Sequence, residues 1–484
     1  MSHPAFLGAG ELARKIRDRE ISSLELTDHY INRIEQLDGS INAVVVRDFD
    51  RALSAAAKAD GELAGGNIAG PLHGVPVTVK EAFNIAGLAT TWGVPPLRDN
   101  IADTDAEVVK RLRQAGAVFM GKTNVPFGLG DIQTYNEIYG VTNNPWNLSR
   151  SPGGSSGGSA AALAAGLCAL EVGSDMAGSI RVPAHFCGLY GHKPTWGVVP
   201  NQGHALPGAV ASPDLGVVGP MARTVEDLVL AMDLLACAQP LNQAGWRLNL
   251  PRPDKTSLRE YRVAILPGSE IAPVDDEISA RVVETGRILA EHGAQVSDQA
   301  LPDIDLKGNH EIFLNLMWSL TTDGVSEEQY LKARQLADSI PSADLSDAAI
   351  AARARVISHR DWLQHNNRRE ILRYAWRRFF DDWDVLICPV FAATAINHDD
   401  GPVNQRTLTV NGVPQPYFQP MFWAGLSTVS YLPGTVFPAG LAQNGLPVGL
   451  QVIGAEYNDY ITLDFVRLLT KHTGGFQIPP GYRT

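Results

Sequence analysis

The sequence has little of what would indicate a disulfide scaffold or a metal site. Its 484 residues include only four cysteines, at positions 168, 187, 237 and 388. They form no CxxC pair and lack the spacing of metal ligands. We therefore expect reduced thiols in a cytoplasmic protein, and neither a metal nor a cofactor.

Basic residues are also in the minority. The chain has 40 lysines and arginines against 52 acidic residues, a formal net charge of −12. This balance disfavours nucleic acids and anionic membrane surfaces as partners. Several arginines lie around Trp376, where a solvated helix face or an oligomer contact explains them better than a nucleic-acid site. The sequence leaves a homodimer open.

Long apolar runs are missing as well. The N-terminus, MSHPAFLGAGELARKIRDRE, lacks the apolar core of a signal peptide. Two stretches, 151–170 and 407–455, contain no Asp, Glu, Lys or Arg, but the first is mostly glycine, serine and alanine and the second is broken by six prolines. We expect no membrane span.

One stretch is, by contrast, rich in glycine and serine. Residues 151–195 read SPGGSSGGSAAALAAGLCALEVGSDMAGSIRVPAHFCGLYGHKPT and include Ser155 and Ser179, 24 positions apart. We expect Ser159 to cap a helix from about 158 to 169, which rises roughly 18 Å at about 1.5 Å per residue. A strand then returns over a similar distance, so the two serines are predicted to be neighbours.

A second turn is predicted where this strand ends. It consists of Met176, Ala177, Gly178 and Ser179 and leads into a helix. The first amide N–H groups of a helix have no partner within it, so such a turn can hold an oxyanion.

Lys80 ends a short apolar run upstream. The sequence VPVTVK from 75 to 80 alternates valine with other residues, which is typical of a strand with one apolar face. Alone, a lysine at a strand end is usually solvated, and a serine among glycines usually belongs to a loop or a cap. Lys80, Ser155 and Ser179 together indicate acyl transfer without histidine.

These residues resemble the amidase signature family, whose members pair a lysine with two serines, one of them in a cis-peptide conformation. The resemblance is carried by GVPVTVKE at 74–81, GGSSGGS at 153–159, GSIR at 178–181, KPT at 193–195, GPMART at 219–224 and GLPVGLQVIG at 445–454. It covers nearly the whole chain. One departure is Ala177, where the family usually has glycine, and we expect an altered pocket shape rather than lost activity.

The resemblance implies a hydrolase that cleaves the C–N bond of a small carboxamide. Ser179 would attack the carbonyl carbon, Ser155 would pass the proton to a neutral Lys80, and water would hydrolyse the acyl-Ser179. The oxyanion would lie against the amides of residues 176–179. A solvated lysine has a pKa of about 10.4, so the site must lower the pKa of Lys80.

Three residues are expected to support this site. Ser156 is interpreted as a hydrogen-bond donor behind the reacting groups. Asp175 and Arg181 are expected to form an ion pair that pins the oxyanion turn.

The resemblance also nominates a substrate loop after Asn124, with Leu129, Gly130 and Asp131 as substrate-binding residues. Asp131 would favour a hydrogen-bonding or cationic leaving group. The sequence does not choose among aryl amides, short aliphatic amides, oligoamides and carbamates. Three alternatives stay open: a carbamate or ester hydrolase with the same three residues, an A-type amidotransferase subunit, and a binding protein that retains the fold.

For the fold, the alternation of apolar strands with helices predicts an α/β class. We expect a single large domain with a mostly mixed central β-sheet covered by helices on both faces, the amidase signature fold. Residues 1–64 are predicted to be peripheral helices, and residues 65–484 a catalytic domain with a helical insertion near 310–380 over the active site.

Overall fold

The structure, a computed structural model, describes residues 3–322 and 324–483 of the chain. Residues 1, 2, 323 and 484, which fall within the predicted domain ranges, lie outside the described residues. The strands are, in chain order, β1 (Val44–Arg47), β2 (Pro76–Lys80), β3 (Val118–Thr123), β4 (Tyr135–Asn136), β5 (Gly140–Val141), β6 (Glu171–Asp175), β7 (Tyr190–Lys193), β8 (Val217–Ala222), β9 (Arg262–Ile265), β10 (Gln295–Ser297), β11 (Val385–Pro389), β12 (Thr407–Val410), β13 (Val413–Pro416), β14 (Gly434–Leu441) and β15 (Pro447–Gly454).

The chain also forms α-helices, some of which begin at a side-chain cap. They are α1 (Ala9–Arg17), α2 (Ser23–Ile41), α3 (Phe49–Ala64), α4 (Glu107–Gln114), α5 (Gly157–Ala164), α6 (Arg181–Cys187), α7 (Val225–Leu235), α8 (Asp276–Glu291), α9 (Leu306–Ser319), α10 (Glu327–Ser339), α11 (Asp347–Ala354), α12 (His359–Asp382), α13 (Met421–Thr428) and α14 (Asp459–Thr473). In α2, for example, Ser22 and Glu25 form a reciprocal capping box at the start.

The centre of the molecule is an eight-stranded mixed sheet. Its strand order is β10-β9-β11-β15-β14-β7-β8-β6. β9 is parallel to β10 and β11, and the other pairs are antiparallel. The interior strands β11 and β15 are mostly apolar and are buried along their whole length, as in a sheet covered on both sides.

Helices cover both faces of this sheet. A Cβ built on Gly449 of β15 would lie 2.9 Å from the Cα of His185 in α6, and one built on Gly454 would meet Thr462 of α14. These two glycines are five positions apart and so face opposite sides of the strand. The predicted α/β class with a mixed, doubly covered sheet is confirmed.

A second, three-stranded sheet lies beside the first. Its order is β1-β3-β2, with β2 parallel and β1 antiparallel to β3. The predicted segment 1–64 therefore contributes a strand as well as helices. Lys80 is the last residue of β2, and β2 is an edge of its sheet next to β6, the edge of the central sheet.

The helices α9 to α12 lie in the region of the predicted insertion. An apolar cluster joins α9 residues such as Phe313 and Leu316 to Leu215 and Tyr431, and Met176 and Ala177 pack against it. The helical segment is thus in contact with the predicted oxyanion turn. The domain boundaries remain a prediction. Among the described residues, no helix combines the length and the apolarity that a bilayer crossing requires.

The prediction for α5 needs two corrections. Ser156, not Ser159, is at the N-cap position, and it makes no side-chain capping bond. Ser159 lies inside the helix, with its Oγ 2.9 Å from Oγ1 of Thr123. The helix ends at Ala164, well before 169, and Gly166 follows with a left-handed φ of +68°.

A substitution at Gly158 tests how closely α5 must approach the residue that follows β3. A Cβ on Gly158 would lie 2.3 Å from the main-chain nitrogen of Asn124, so Gly158→Ala forces the backbones apart. We expect a loss of about 1–3 kcal/mol of unfolding free energy, seen as a lower Tm in a thermal scan.

The matched control is Gly61→Ala in α3, where a Cβ would meet nothing within 4 Å. That change removes a helix-interior glycine and should raise stability by up to about 1 kcal/mol. Equal melting temperatures for the two variants would show that the close approach of Gly158 is not a constraint.

Candidate active site

The amine of Lys80 is buried among hydroxyl groups. Lys80 has 0% exposure. Its Nζ donates to Oγ of Ser155 at 2.7 Å and to Oγ of Ser174 at 3.0 Å. Burial lowers the pKa of Lys80 to about 7, although the carboxyl groups of Asp175 and Glu171 oppose this shift. A large fraction of the amine is therefore neutral at neutral pH, and a neutral amine can accept a proton from Ser155.

Ser155 lies in a confined turn. The peptide bond between Gly154 and Ser155 is cis. A Cβ on Gly154 would lie 2.4 Å from the carbonyl oxygen of Asp131 and 2.5 Å from that of Gln133. Only glycine fits at position 154, because these carbonyls belong to the main chain of the neighbouring loop.

Ser179 lies in the second turn and is partly exposed. Its carbonyl oxygen accepts a hydrogen bond from the amide of Ser156 at 3.1 Å. Since Ser156 follows Ser155 in the chain, this bond places the two serine-bearing turns side by side. Within residues 3–322 and 324–483, the Ser179 hydroxyl has no hydrogen-bond partner, which leaves it available to a substrate.

Asp175 organises the turn that carries Ser179. Its carboxylate accepts hydrogen bonds from the amides of Gly178 at 2.9 Å and Ile180 at 3.0 Å. Both side chains of the Asp175–Arg181 ion pair are fully buried, with oxygen and nitrogen 2.8 Å apart. Burial would raise the pKa of Asp175, but the charge and hydrogen bonds of Arg181 outweigh it and hold this pKa well below its usual range.

Arg181 extends this network to the rest of the core. Its guanidinium donates to the carbonyl of Ala424 at 3.0 Å and to Oγ of Ser427 at 2.8 Å, both in α13. It also donates to Oε1 of Gln451 in β15 at 3.2 Å. The turn is thereby fixed to the central sheet.

The four predicted oxyanion residues differ in what their amides do. The amide of Gly178 already donates to Asp175. In the part of the chain that the structure describes, the amides of Met176, Ala177 and Ser179 have no acceptor. These three N–H groups are the ones free to bind an oxygen at this turn.

Asp131, which was predicted to favour a hydrogen-bonding or cationic leaving group, forms an ion pair inside the protein. Asp131 is only 9% exposed. Its carboxylate accepts from Arg406 at 2.6 Å and from the hydroxyl of Tyr417 at 2.7 Å. The charge is neutralised inside the protein. In the same loop, Leu129 is half-buried with a left-handed φ of +59°, and Gly130 is exposed.

Two residues close to Lys80 were not predicted from the sequence. Ser174 is the second acceptor of the Lys80 amine. The only indication of this contact in the sequence is the position of Ser174 directly before Asp175. His204 lies in a loop without periodicity, with its ring centroid 4.6 Å from that of Phe83. Burial and then the charge of Lys80 lower the pKa of His204 to about 3, so this imidazole stays neutral.

A metal centre is not part of this arrangement. Among residues 3–322 and 324–483, no group of three or more His, Cys, Asp or Glu side chains is placed to hold a metal ion. What the site offers is a buried amine, hydroxyl groups and free amides.

Comparison with known proteins identifies the family. The amidase family model matches residues 25–463. This chain belongs to the amidase signature family.

Relatives and solved structures agree with this assignment. The chain is 34% identical to an acylamidase of Rhodococcus erythropolis over 478 residues, which is 95% of this chain and 94% of the relative. It is 32% identical to the A-type subunit of glutamyl-tRNA(Gln) amidotransferase from Thermosynechococcus vestitus over 467 residues, 92% and 93% of the two chains. A crystal structure of a bacterial aryl acylamidase of this family superposes with a TM-score of 0.83 at 27% identity, covering 98% of this chain and 99% of the other.

The contribution of the buried Asp175–Arg181 ion pair to stability can be tested by Asp175→Asn. The change leaves the buried guanidinium of Arg181 without its counter-charge, and breaking such a pair costs about 3–5 kcal/mol. We expect a clear fall in Tm.

Glu328→Gln serves as the control, because it removes one partner of an ion pair whose two side chains are 70% and 77% exposed. It should leave Tm unchanged within error. If Asp175→Asn melted like this control, the pair would not be what holds the turn.

Proposed function

We propose that this protein hydrolyses the C–N bond of a small, uncharged carboxamide through an acyl-Ser179 intermediate. The observation that carries the proposal is the contact between Lys80 and Ser155: an amine with 0% exposure lies 2.7 Å from a serine hydroxyl. Such an amine is desolvated, and burial lowers its pKa to about 7. It can therefore act as a general base near neutral pH.

The first half of the reaction forms the tetrahedral intermediate. Oγ of Ser179 attacks the carbonyl carbon of the amide while its proton passes to Ser155, and the Ser155 proton passes to Nζ of Lys80. The carbonyl oxygen becomes an oxyanion and accepts hydrogen bonds from the free amides of Met176, Ala177 and Ser179. Lys80 then carries one additional proton.

The second half returns that proton. Lys80 gives it back through Ser155 to the nitrogen of the tetrahedral intermediate, the C–N bond breaks, and the amine leaves. Water then attacks the carbonyl carbon of the acyl-Ser179, and the same relay accepts its proton. The acid is released and Ser179 regains its hydrogen, so atoms and charge balance.

The surroundings favour an uncharged and partly apolar substrate. Asp131 is neutralised by Arg406, and Asp175 by Arg181, so neither carboxylate is free to select a cation. Met176 and Ala177 pack against the apolar cluster of α9. The similarity to an acylamidase and to an aryl acylamidase supports the same substrate class.

Two other activities use the same chemistry. Esters and carbamates also yield an acyl-serine, because the leaving atom need not be an amide nitrogen. The role of an A-type amidotransferase subunit is a second candidate, favoured by 32% identity to such a protein. That role predicts hydrolysis of glutamine and a stable complex with a partner.

Replacement of the nucleophile tests the proposal. We expect Ser179→Ala to lose turnover of a panel of aryl and short aliphatic amides by at least about 1,000-fold, because no other group replaces the attacking oxygen. A fluorophosphonate should label the wild type and not this variant, as read by mass spectrometry. Ser54→Ala, at an exposed serine of α3, is the control and should behave like the wild type.

The same panel separates the alternatives. It should include an ester and a carbamate matched to the best amide, and glutamine. If the protein hydrolysed glutamine and none of the other substrates, this result would favour the amidotransferase role. Undiminished amide turnover by Ser179→Ala would refute the proposal.

Lys80 also sets an expected pH dependence. Lys80 acts as a base only in its neutral form. Activity is therefore lost as the pH falls through the pKa of Lys80 in the folded protein, which is about 7. We expect kcat/KM to rise through a midpoint near pH 7 and to level off above it. His204 cannot cause this midpoint, because its pKa is lowered to about 3.

The measurement is a pH series of initial rates on one amide, with Lys80→Met as the inactive control. A midpoint near the pKa of a solvated lysine, about 10.4, would mean that burial does not lower the pKa of Lys80. A plateau that extended below pH 5 would exclude Lys80 as the base.

A further inference from the structure

Glu171 carries a carboxyl group that is buried in the protein. It is the first residue of β6 and has 0% exposure. The hydroxyl of Thr78 donates to its Oε1, and the hydroxyls of Thr123 and Ser159 lie beside it. Among the described residues, no lysine or arginine forms a salt bridge with Glu171, and its Oε2 has no hydrogen-bond partner. A charge is costly in such a place.

The position of Glu171 in the fold links it to the lysine. β2 and β6 are edge strands of different sheets. Two side-chain contacts cross between these edges: Thr78 donates to Glu171, and Lys80 donates to Ser174. Thr78 and Lys80 are two positions apart and therefore share a face of β2. The contact of Glu171 thus helps to set the distance between the strand of Lys80 and the strand that leads to Ser179.

We propose that Glu171 is a positioning residue for Lys80, acting as an uncharged carboxyl that ties β2 to β6 beside the amine. The inference rests on the proposed function, because it concerns how the base of that reaction is held. Glu171 itself neither contacts the substrate nor exchanges protons with it.

The electrostatic surroundings agree with an uncharged group. Burial raises the pKa of Glu171 to about 8, although the neighbouring hydroxyls of Thr78, Ser159 and Thr123 act to lower it. The carboxyl is therefore mostly protonated at neutral pH. Where it does ionise, its charge raises the pKa of Lys80 and keeps a proton on the base. A neutral Glu171 thus favours the neutral amine.

The charged groups that the structure describes on the neighbouring elements have other partners. On β6, Asp175 is paired with Arg181. On β3, the amine of Lys122 donates to the carbonyl of Ala89 and to Thr90 instead. α5 has the sequence GGSAAALA and so carries no ionisable side chain. The remaining titratable neighbours are the thiol of Cys168, whose pKa burial raises, and Arg223, which donates to the carbonyl of Cys168.

The experiment compares two replacements of Glu171 with different properties. Glu171→Gln keeps the shape and the hydrogen-bonding atoms but cannot ionise. Glu171→Leu keeps the volume and removes the hydrogen bonds, so the hydroxyl of Thr78 loses its partner. For each we would measure kcat, KM and the pH dependence of kcat/KM on one amide.

We expect Glu171→Gln to keep kcat within about threefold of the wild type. The midpoint of its pH profile should stay within about half a pH unit of the wild-type midpoint, because a carboxyl that is mostly protonated near pH 7 has little negative charge to lose. Glu171→Leu should lose about tenfold or more in kcat with little change in KM, since a misplaced base affects the chemical step.

Three outcomes would overturn the inference. The kcat of Glu171→Gln could fall as far as that of Glu171→Leu, the kcat of Glu171→Leu could match the wild type, or the midpoint of Glu171→Gln could move by about one pH unit or more. If Glu171→Leu fails to fold, Thr78→Val replaces it, because it removes the same hydrogen bond with a side chain of similar shape. Thr78→Ser, which keeps the hydroxyl, is then its control and should restore kcat.

Failure of the proposed function is recognised separately. Ser179→Ala, assayed in the same series, reports on the nucleophile alone. If Ser179→Ala remained active, the acyl-serine reaction itself would be wrong, whatever the Glu171 variants do. If Ser179→Ala is inactive, the Glu171 variants test only the positioning role.

Discussion

The site depends on keeping the amine of one lysine out of water. Lys80 is placed at the end of an edge strand, and the edge of a second sheet closes over it, so that Nζ meets the hydroxyls of Ser155 and Ser174 instead of solvent. Removing water destabilises the ammonium form. The rest of the local structure serves this closure: Gly158 lets α5 approach the loop after β3, and Glu171 joins the two edges.

Burial of a lysine is not sufficient to make this site. Lys193 is also buried, and desolvation followed by the charge of Arg181 lowers its pKa to about 7, the same value as for Lys80. Its Nζ, however, donates to the carbonyl of Pro194, which has no proton to give. Lys122 likewise has a pKa lowered to about 8 by burial and contacts a carbonyl and a threonine hydroxyl away from the serine turns. The distinguishing feature of Lys80 is its contact with Ser155.

Local patterns allowed much of this arrangement to be predicted from the sequence. The alternating valines placed Lys80 on a strand, and the glycine-rich turns flanked both serines. What could not be predicted depends on contacts between distant parts of the chain. Asp131 and Arg406 are 275 positions apart, Thr78 and Glu171 are 93 apart, and strand pairing brings β1 beside β3. Ser159 was expected to cap a helix. Its contact with Thr123, 36 positions away, could not be recognised from the neighbouring sequence.

The pairing of buried charges accounts for the character of the site as a whole. Asp131 is neutralised by Arg406, Asp175 by Arg181, and Glu171 holds a proton in its hydroxyl surroundings. The carboxyl group of Asp175 acts to raise the pKa of Lys80 even while it is paired, and without Arg181 its unpaired charge would favour the ammonium form of Lys80 more strongly. The pairing of Asp175 with Arg181 therefore favours the neutral form of the Lys80 amine, as the proposed reaction requires.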